Sequence, residues 1–115
     1  MTGDVTTVGE TAERVVRDYL GVGAGERFAI VVDDRTDPEI PRELARVAIE
    51  LRAEPVIVTI AHRSSSGAEP PAPAAAAMAA ADVVLCAAST SLYHTTAKAA
   101  AQRAGVRGDF NAPYR

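Results

Sequence analysis

Residues 81–96, ADVVLCAASTSLYHTT, join an apolar run of strand length to three consecutive hydroxyl residues and then to a histidine. The apolar run over residues 82–88 predicts a buried strand, and the chain from Leu92 onward predicts the helix that follows it. Ligands bind at the carboxyl ends of the strands in an open α/β sheet. The stretch therefore predicts a strand, a polar loop and a helix, with the loop in the position of a binding site.

Two more apolar runs lie upstream of this stretch. Residues 27–33, RFAIVVD, form a continuous apolar run, which is typical of a strand covered on both faces. Residues 55–61 predict a second buried strand in the same way. Downstream, Val106 begins a fourth strand, which Gly108 and the polar residues after it keep short.

Between the strands, apolar residues recur at helical spacing. Asp37 and Pro38 make a favourable helix start, because a capping carboxylate precedes proline at the first helical position, and Pro41 is an alternative start. Gly21 and Gly105 are placed to end two of the helices. The predicted helices span residues 7–20, 38–51 or 41–51, 74–81 and 92–104.

The alternation of helices and strands predicts the fold class. A regular helix–strand succession favours a parallel sheet with helices on both faces, and right-handed crossovers restrict its topology. We therefore predict an α/β fold: a three-layer, Rossmann-like or flavodoxin-like domain with about four parallel strands in the order 2-1-3-4. With 115 residues and no internal repeat, residues 1–115 are expected to form this single domain.

Composition narrows the function classes. The chain has 12 Lys and Arg against 15 Asp and Glu, a net charge of -3 and no basic stripe, which argues against nucleic acid as a partner. No apolar run approaches the roughly 20 residues of a membrane helix, so no membrane partner is expected. The polar residues 1–10 do not resemble a signal peptide, and a cytoplasmic protein is the expectation. The single cysteine, Cys86, lies within a strand and predicts an inert buried thiol.

The glycine-rich segment 21–25, GVGAG, resembles a dinucleotide-binding fingerprint but stands in the wrong place. Phosphate-binding glycines follow a strand and open a helix, so that the helix amino terminus faces the phosphates. Here the glycines follow a helix and precede a strand, which places them at the opposite edge of the sheet. We therefore predict a connecting loop rather than a nucleotide site, and no cofactor bound within this chain.

Candidate substrate-binding residues follow the first two strands. Asp33 and Asp34 end the first strand, where they could hold a cation or a substrate hydroxyl, or only bond to their own loop. His62 follows the second strand at the same predicted edge of the sheet, where it could contact a ligand or remain solvated. The acidic loop argues against nucleotide binding because it would repel phosphate.

The third strand is followed by four candidate functional residues, three hydroxyl residues and a histidine. One of Ser89, Thr90 and Ser91 is expected to cap the next helix, which leaves the other hydroxyls as substrate-binding candidates beside a positive helix end. His94 is expected in the first turn of that helix, where the helix dipole favours a neutral imidazole able to act as a base. His94 is the predicted catalytic residue, with a surface or packing role as the alternative.

Several segments together resemble a known family, the aminopeptidase T-like metalloenzymes, a superfamily that includes 2,5-dihydroxypyridine 5,6-dioxygenase-like proteins. The resemblance is to the amino-terminal domain of these enzymes and covers residues from about Glu10 to Arg115. The segments that carry the resemblance are residues 25–33 (GERFAIVVD), 37–39 (DPE), 69–71 (EPP), 81–84 (ADVV), 89–95 (STSLYHT) and 108–113 (GDFNAP).

The resemblance implies a homo-oligomeric, two-domain enzyme whose metal ligands lie in a carboxy-terminal domain, with Fe(II) or another divalent metal as cofactor. The sequence ends where that domain is expected to begin, so a partner chain carrying the metal-binding domain is expected. On this resemblance, the segment from Ser89 to His94 faces the active-site cleft, and His94 assists proton transfer or holds a small-molecule substrate. Three functions stay open: a subunit of a split or truncated ring-cleaving dioxygenase, a subunit of a metallo-aminopeptidase, and a non-catalytic module that binds a small ligand or a protein.

Overall fold

The computed structural model of the protein describes residues 7–65, 67–92 and 94–110. Helices and strands alternate along the chain, and every strand pairing is parallel. The strand order is β2-β1-β3-β4, so the predicted α/β fold and the 2-1-3-4 order are confirmed. The elements are α1 (Val8–Glu13, continuing as a π-helical segment Arg14–Tyr19), β1 (Arg27–Asp33), α2 (Glu39–Glu50), β2 (Glu54–Ile60), α3 (Ala72–Ala80), β3 (Val83–Cys86), α4 (Thr96–Arg103) and β4 (Arg107–Asp109).

The helices cover the sheet as two separate layers. Alternate residues of β1 and β3 pack against α1, its π-helical continuation and α2, with Phe28, Ile30 and Leu85 at the centre of this layer. The intervening residues, among them Val31 and Val84, pack on the opposite face against α3 and α4. Because the two inner strands are covered on both faces, they read as continuous apolar runs in the sequence.

The strand order creates a switch point between β1 and β3. The chain leaves β1 toward the face covered by α2 and leaves β3 toward the face covered by α4. The loops after these two neighbouring strands therefore diverge at the carboxyl edge of the sheet, which is the position where open α/β sheets bind ligands. Asp33, the last residue of β1, and Ser89, three residues beyond β3, lie at this switch point.

The prediction of a second strand buried on both faces is wrong. Strand β2 lies at the edge of the sheet, and only Ile60 among its residues is buried. Val56 and Ile57, on opposite faces, keep 53% and 45% of their surface exposed. An apolar run shows that a segment forms a strand, but it does not distinguish an inner strand from an edge strand.

The fourth helix also differs from its prediction. It begins at Thr96 rather than at Leu92, because the hydroxyl of Thr95 accepts a hydrogen bond from the N–H of Lys98 at 3.1 Å and so caps the helix. None of the three hydroxyls of residues 89–91 is the N-cap residue that was expected of one of them. Among the described residues of the predicted first turn, Leu92, His94 and Thr95 lie outside the helix.

The amino edge of the sheet is tied together by arginine–carboxylate pairs. Arg27, at the start of β1, donates to Asp82 before β3, and Arg107 of β4 donates to both carboxylate oxygens of Glu26, at 2.6 and 2.8 Å. The glycine-rich loop lies at this edge, where the N–H of Gly23 donates to Glu26 and the carbonyl of Gly21 accepts from Arg107. These contacts place the loop at the edge opposite the strand carboxyl ends, as the sequence predicted.

A search for membrane spans among the described residues finds no helix with the length and apolar character to cross a bilayer.

Candidate functional site

Asp33 forms the centre of the carboxyl edge. The residue is only 3% exposed, and its carboxylate accepts three hydrogen bonds from groups within the protein. Ser89 donates twice to Oδ2, from its N–H at 2.8 Å and from its hydroxyl at 2.5 Å, and the N–H of Arg35 donates to Oδ1 at 2.9 Å. The carboxylate therefore joins the end of β1 to the loop after β3, across the switch point.

The charge on Asp33 is set by two opposing effects. Burial raises the pKa of the carboxyl group, but the hydrogen bonds from Ser89 and from the N–H of Arg35 favour the carboxylate and hold the pKa below its ordinary value. Asp33 is thus a buried anion stabilised by neutral donors rather than by a cation. Its acceptor sites are largely used within the protein, so it acts on a ligand mainly by fixing the position of Ser89.

Thr36 completes the connection between the two strands. Its hydroxyl donates to the carbonyl of Ala87 at 2.9 Å and lies 3.3 Å from Asp33 Oδ1, and the shorter contact uses its single proton. The same oxygen accepts the N–H of Asp33 at 3.1 Å. The loop after β1 is therefore bonded both to the end of its own strand and to the segment that follows β3.

Asp34, the next residue, makes a second connection in the opposite direction along the edge. Its Oδ1 accepts the backbone N–H of His62 at 2.7 Å, and His62 Nδ1 lies 3.1 Å from both carboxylate oxygens. These bonds from His62, first from the backbone and then from the ring, hold the pKa of Asp34 below its ordinary value. Adjacent carboxylates thus connect β1 to the loops after both of its neighbouring strands.

The loop after β2 crosses toward the end of β3 and reaches the predicted catalytic region. The N–H of Gly67 donates to the carbonyl of Ser91 at 3.3 Å, and a Cβ added to Gly67 would lie 3.8 Å from the Cβ of His94. The hydroxyl of Ser91 donates to the carbonyl of Phe110 at 3.3 Å. His94 is exposed and lies in the loop before α4, beside this crossing segment.

The amino terminus of α4 already holds a carboxylate. Glu69, in the crossing loop, accepts the N–H groups of Thr96 at 2.6 Å and Ala97 at 3.2 Å. A negative side chain at this position satisfies donors that the helix leaves unpaired and interacts favourably with its dipole. The amino terminus of α4, expected beside the hydroxyl residues, is therefore occupied by a carboxylate, and His94 precedes the helix rather than lying in its predicted first turn.

The structure places the predicted residues along one edge of the sheet. His62 follows β2, Asp33 and Asp34 end β1, and the three hydroxyl residues follow β3, in the spatial order of the strands. Contacts unite two pairs, Asp33 with Ser89 and Asp34 with His62. Thr90 is half-buried, and its carbonyl lies 3.8 Å from the thiol of Cys86. Whether any of these residues binds a substrate stays a prediction.

Three residues of this edge were not identified from the sequence. Thr36 and Glu69 act on segments 51 and 27 residues away, and no local pattern signals such contacts. Thr95 could have been found, because it is a hydroxyl residue placed three positions before the N–H that it caps. Cys86 matches its prediction: it is buried, and burial raises the pKa of its thiol, which keeps it protonated and inert.

Among residues 7–65, 67–92 and 94–110, no group of three or more His, Cys, Asp or Glu side chains is arranged to hold a metal ion. The Asp34–His62 pair supplies two such groups.

One solved protein structure has a fold similar to that of this chain. No protein-family model matches the chain. No curated protein matches its sequence. A solved structure, 2,5-dihydroxypyridine dioxygenase from Pseudomonas putida KT2440, is similar with a TM-score of 0.71 and 18% sequence identity. The match covers 88% of this chain and 32% of the dioxygenase chain, so this chain spans about a third of that protein's length. At this identity, the similarity shows a shared fold and nothing beyond it.

Proposed function

We propose that this chain is the amino-terminal half or a subunit of a split or truncated aminopeptidase T-like metalloenzyme, of the kind that cleaves aromatic rings with non-haem iron. It contributes one wall of the active site, and a partner domain supplies Fe(II) or another divalent metal. The observation that carries this proposal is the coincidence of two features. The fold resembles that of a dioxygenase over most of the chain, and the polar residues converge at the switch point where such folds bind ligands.

In this proposal the residues of the carboxyl edge have different roles in substrate binding and proton transfer. Ser89 gives its N–H and its hydroxyl proton to Asp33, which fixes its position, so it offers a ligand its hydroxyl oxygen as an acceptor. Thr90 and Ser91 extend this polar wall. His94, exposed in the following loop, touches the substrate and moves a proton. Asp34 and His62 close the wall on the side of β2. Metal chemistry belongs to the partner domain.

The experiment is reconstitution. The chain is affinity-purified from its own cells, co-purifying proteins are identified, and any that carries a metal-binding domain is produced separately. The chain, the partner and their mixture are each supplied with Fe(II) and assayed for ring cleavage of 2,5-dihydroxypyridine. We expect turnover only in the mixture. Full activity of the partner alone, or a mixture without ring cleavage, would contradict the proposal.

A second assay on the same samples separates the two enzyme classes. Hydrolysis of an aminoacyl-p-nitroanilide by the mixture, without ring cleavage, would identify a metallo-aminopeptidase subunit instead. His94→Ala is expected to lower turnover of the mixture by about 100-fold, the usual contribution of a positioned proton-transfer group. Gln102→Ala, exposed on α4, is the matched control and should leave turnover unchanged.

The edge strand favours a second candidate function, a non-catalytic module that associates with a second copy of itself. The N–H of Glu54 points toward β1, where it bonds to Glu26, so strand alternation turns the N–H groups of Ile57 and Thr59 outward. Unpaired edge groups beside exposed aliphatic side chains are suited to strand pairing. Sedimentation of the purified chain tests this: a dimer that Ile57→Lys dissociates supports it, and a monomer at all concentrations contradicts it.

A further inference from the structure

Asp34 and His62 form a side-chain pair that the Asp33–Ser89 connection does not include. The carboxylate spans the backbone N–H and the ring Nδ1 of His62, so it fixes both the position and the rotation of the imidazole. Asp34 remains 56% exposed and His62 35% exposed at the side chain, so the pair lies at the surface of the carboxyl edge. The pair is held more firmly than an ordinary surface ion pair, because one bond comes from the main chain.

The contact also determines which ring nitrogen carries the proton. An ionised carboxylate only accepts hydrogen bonds, and the low pKa of Asp34 keeps it ionised near neutral pH. The proton of a neutral His62 ring must therefore reside on Nδ1, which leaves a lone pair on Nε2. Within the described part of the chain, Nε2 makes no hydrogen bond, so this lone pair is available to an incoming molecule.

We propose that His62 is a carboxylate-oriented proton acceptor for the O–H group of a small polar ligand bound at the carboxyl edge. In the step, the ligand O–H bond breaks, its electron pair stays on oxygen, and the proton forms a bond to Nε2. The resulting imidazolium is stabilised by Asp34, which stays ionised and acts as a positioning residue. This role deepens the proposed function, on which it rests for the presence of a ligand at this edge.

The geometry supplies a sharp test of the positioning role. In Asp34→Asn, the backbone N–H of His62 still needs an acceptor, so the amide oxygen takes the place of Oδ1. The amide NH2 then takes the place of Oδ2, which lies 3.1 Å from Nδ1, and donates to that nitrogen. An Nδ1–H would then face this NH2 group, which cannot accept it, so the Nε2–H tautomer becomes favoured and the outward nitrogen changes from an acceptor to a donor.

Long-range ¹H–¹⁵N correlation spectra of the ¹⁵N-labelled chain report this change directly. We expect the Nδ1–H tautomer of His62 in the wild type and the Nε2–H tautomer in Asp34→Asn. The matched control is Asp37→Asn in the same loop, because Asn also caps the N–H of Glu39 and should leave His62 unchanged. An Nε2–H tautomer in the wild type, or no change in Asp34→Asn, would overturn the proposal.

Chemical acylation gives a second, independent measurement of whether Nε2 of His62 carries a proton. Diethylpyrocarbonate reacts with the unprotonated imidazole nitrogen, so His62 should be acylated in the wild type. Loss of the outward lone pair should slow this reaction at least about tenfold in Asp34→Asn, since the wrong tautomer removes the accepting nitrogen. His94 serves as the internal reference, and equal slowing at both histidines would overturn the assignment.

A pair of probe ligands then tests the proton-accepting role itself. Phenol carries an O–H group and anisole is its counterpart without one, so only phenol should shift the Nε2 resonance of His62. Equal shifts with both compounds, or none with phenol at millimolar concentration, would overturn the role. None of these measurements requires metal or turnover, so their outcome is independent of the reconstitution assay. If His62 has the expected tautomer and binds phenol, but the reconstituted mixture does not cleave the ring, the proposed function is contradicted and the role of His62 is not.

Discussion

The two edges of the sheet use carboxylates in different ways. At the amino edge, Asp82 and Glu26 each face an arginine, so charge is balanced within the protein. At the carboxyl edge, Asp33 and Asp34 face N–H groups, a hydroxyl and an imidazole. At the amino edge each of these carboxylates is therefore neutralised by an arginine, whereas at the carboxyl edge neither aspartate faces one, and the ring Nε2 of His62 is left without a hydrogen bond within the described residues. Such a difference separates an edge that stabilises the sheet from an edge that can bind a ligand.

The largest expected effect comes from Gly108, the middle residue of β4, whose backbone lies directly against Val84 of β3. A Cβ at this position would lie 1.9 Å from the carbonyl oxygen of Val84, so the pairing of β4 with β3 cannot survive unchanged. Gly108→Ala should lower the free energy of unfolding by about 3 kcal/mol, measured by urea denaturation. Gly105→Ala is the control: its φ is +91° but nothing lies within 4 Å, so only the backbone strain is added, about 1 kcal/mol. Equal losses would contradict the predicted clash.

The next largest effect is expected from a comparison of one aspartate at each edge, by the loss of unfolding free energy when it is replaced with asparagine. Asp33→Asn replaces an oxygen of the buried carboxylate with an NH2 group, so it cannot accept both the Ser89 and the Arg35 bonds. Leaving buried donors unpaired should cost about 2 kcal/mol of unfolding free energy. Asp82→Asn at the amino edge should change the urea midpoint less, because the amide oxygen can still accept the backbone N–H of Arg27 and the partly solvated ion pair that is lost contributes little. A larger loss in Asp82→Asn would reverse our comparison.

The dependence of stability on acid pH also distinguishes Asp33 at the carboxyl edge from Asp82 at the amino edge. The folded-state pKa values of Asp33 and Asp82 are lowered, that of Asp82 to about 2. A lowered pKa means that the unfolded state binds more protons, so these groups stabilise the fold above their unfolded pKa of about 3.9 and lose that contribution as the pH falls. The wild type should therefore lose stability between pH 4 and the lower folded pKa values, and Asp33→Asn should lose less over that interval. Parallel pH profiles would contradict the role given to Asp33.

The smallest effect concerns Glu69, which caps α4 from the crossing loop. Glu69→Ala should lower the free energy of unfolding by about 1 kcal/mol, because two helix N–H groups lose their acceptor. Glu69→Gln keeps an oxygen acceptor and should cost less than that. Glu54→Ala, exposed on β2, is the control in thermal denaturation. Equal stability of Glu69→Ala and the control would show that the carboxylate does not hold the helix end.

How far the sequence predicts this molecule depends on the range of the contacts. The strands, the helix order and the 2-1-3-4 topology follow from local periodicity and general connection rules, and the structure confirms them. Asp33 and Ser89 were both placed at strand ends, but their bond joins residues 56 positions apart and no pattern encodes it. The apolar run of β2 looks like that of β1, since exposure at an edge depends on what covers the strand. The start of α4 was misplaced because several hydroxyl residues compete for one cap.

The central claim is that the carboxyl edge, and not the amino edge, is the ligand-binding wall. The most direct test is titration of the ¹⁵N-labelled chain with 2,5-dihydroxypyridine to millimolar concentration, followed by amide chemical shifts. We predict that shifts concentrate at Ser89, His62 and His94 and leave the glycine-rich loop, residues 21–25, unchanged. Shifts centred on that loop, or no shift anywhere at saturating probe, would contradict the account.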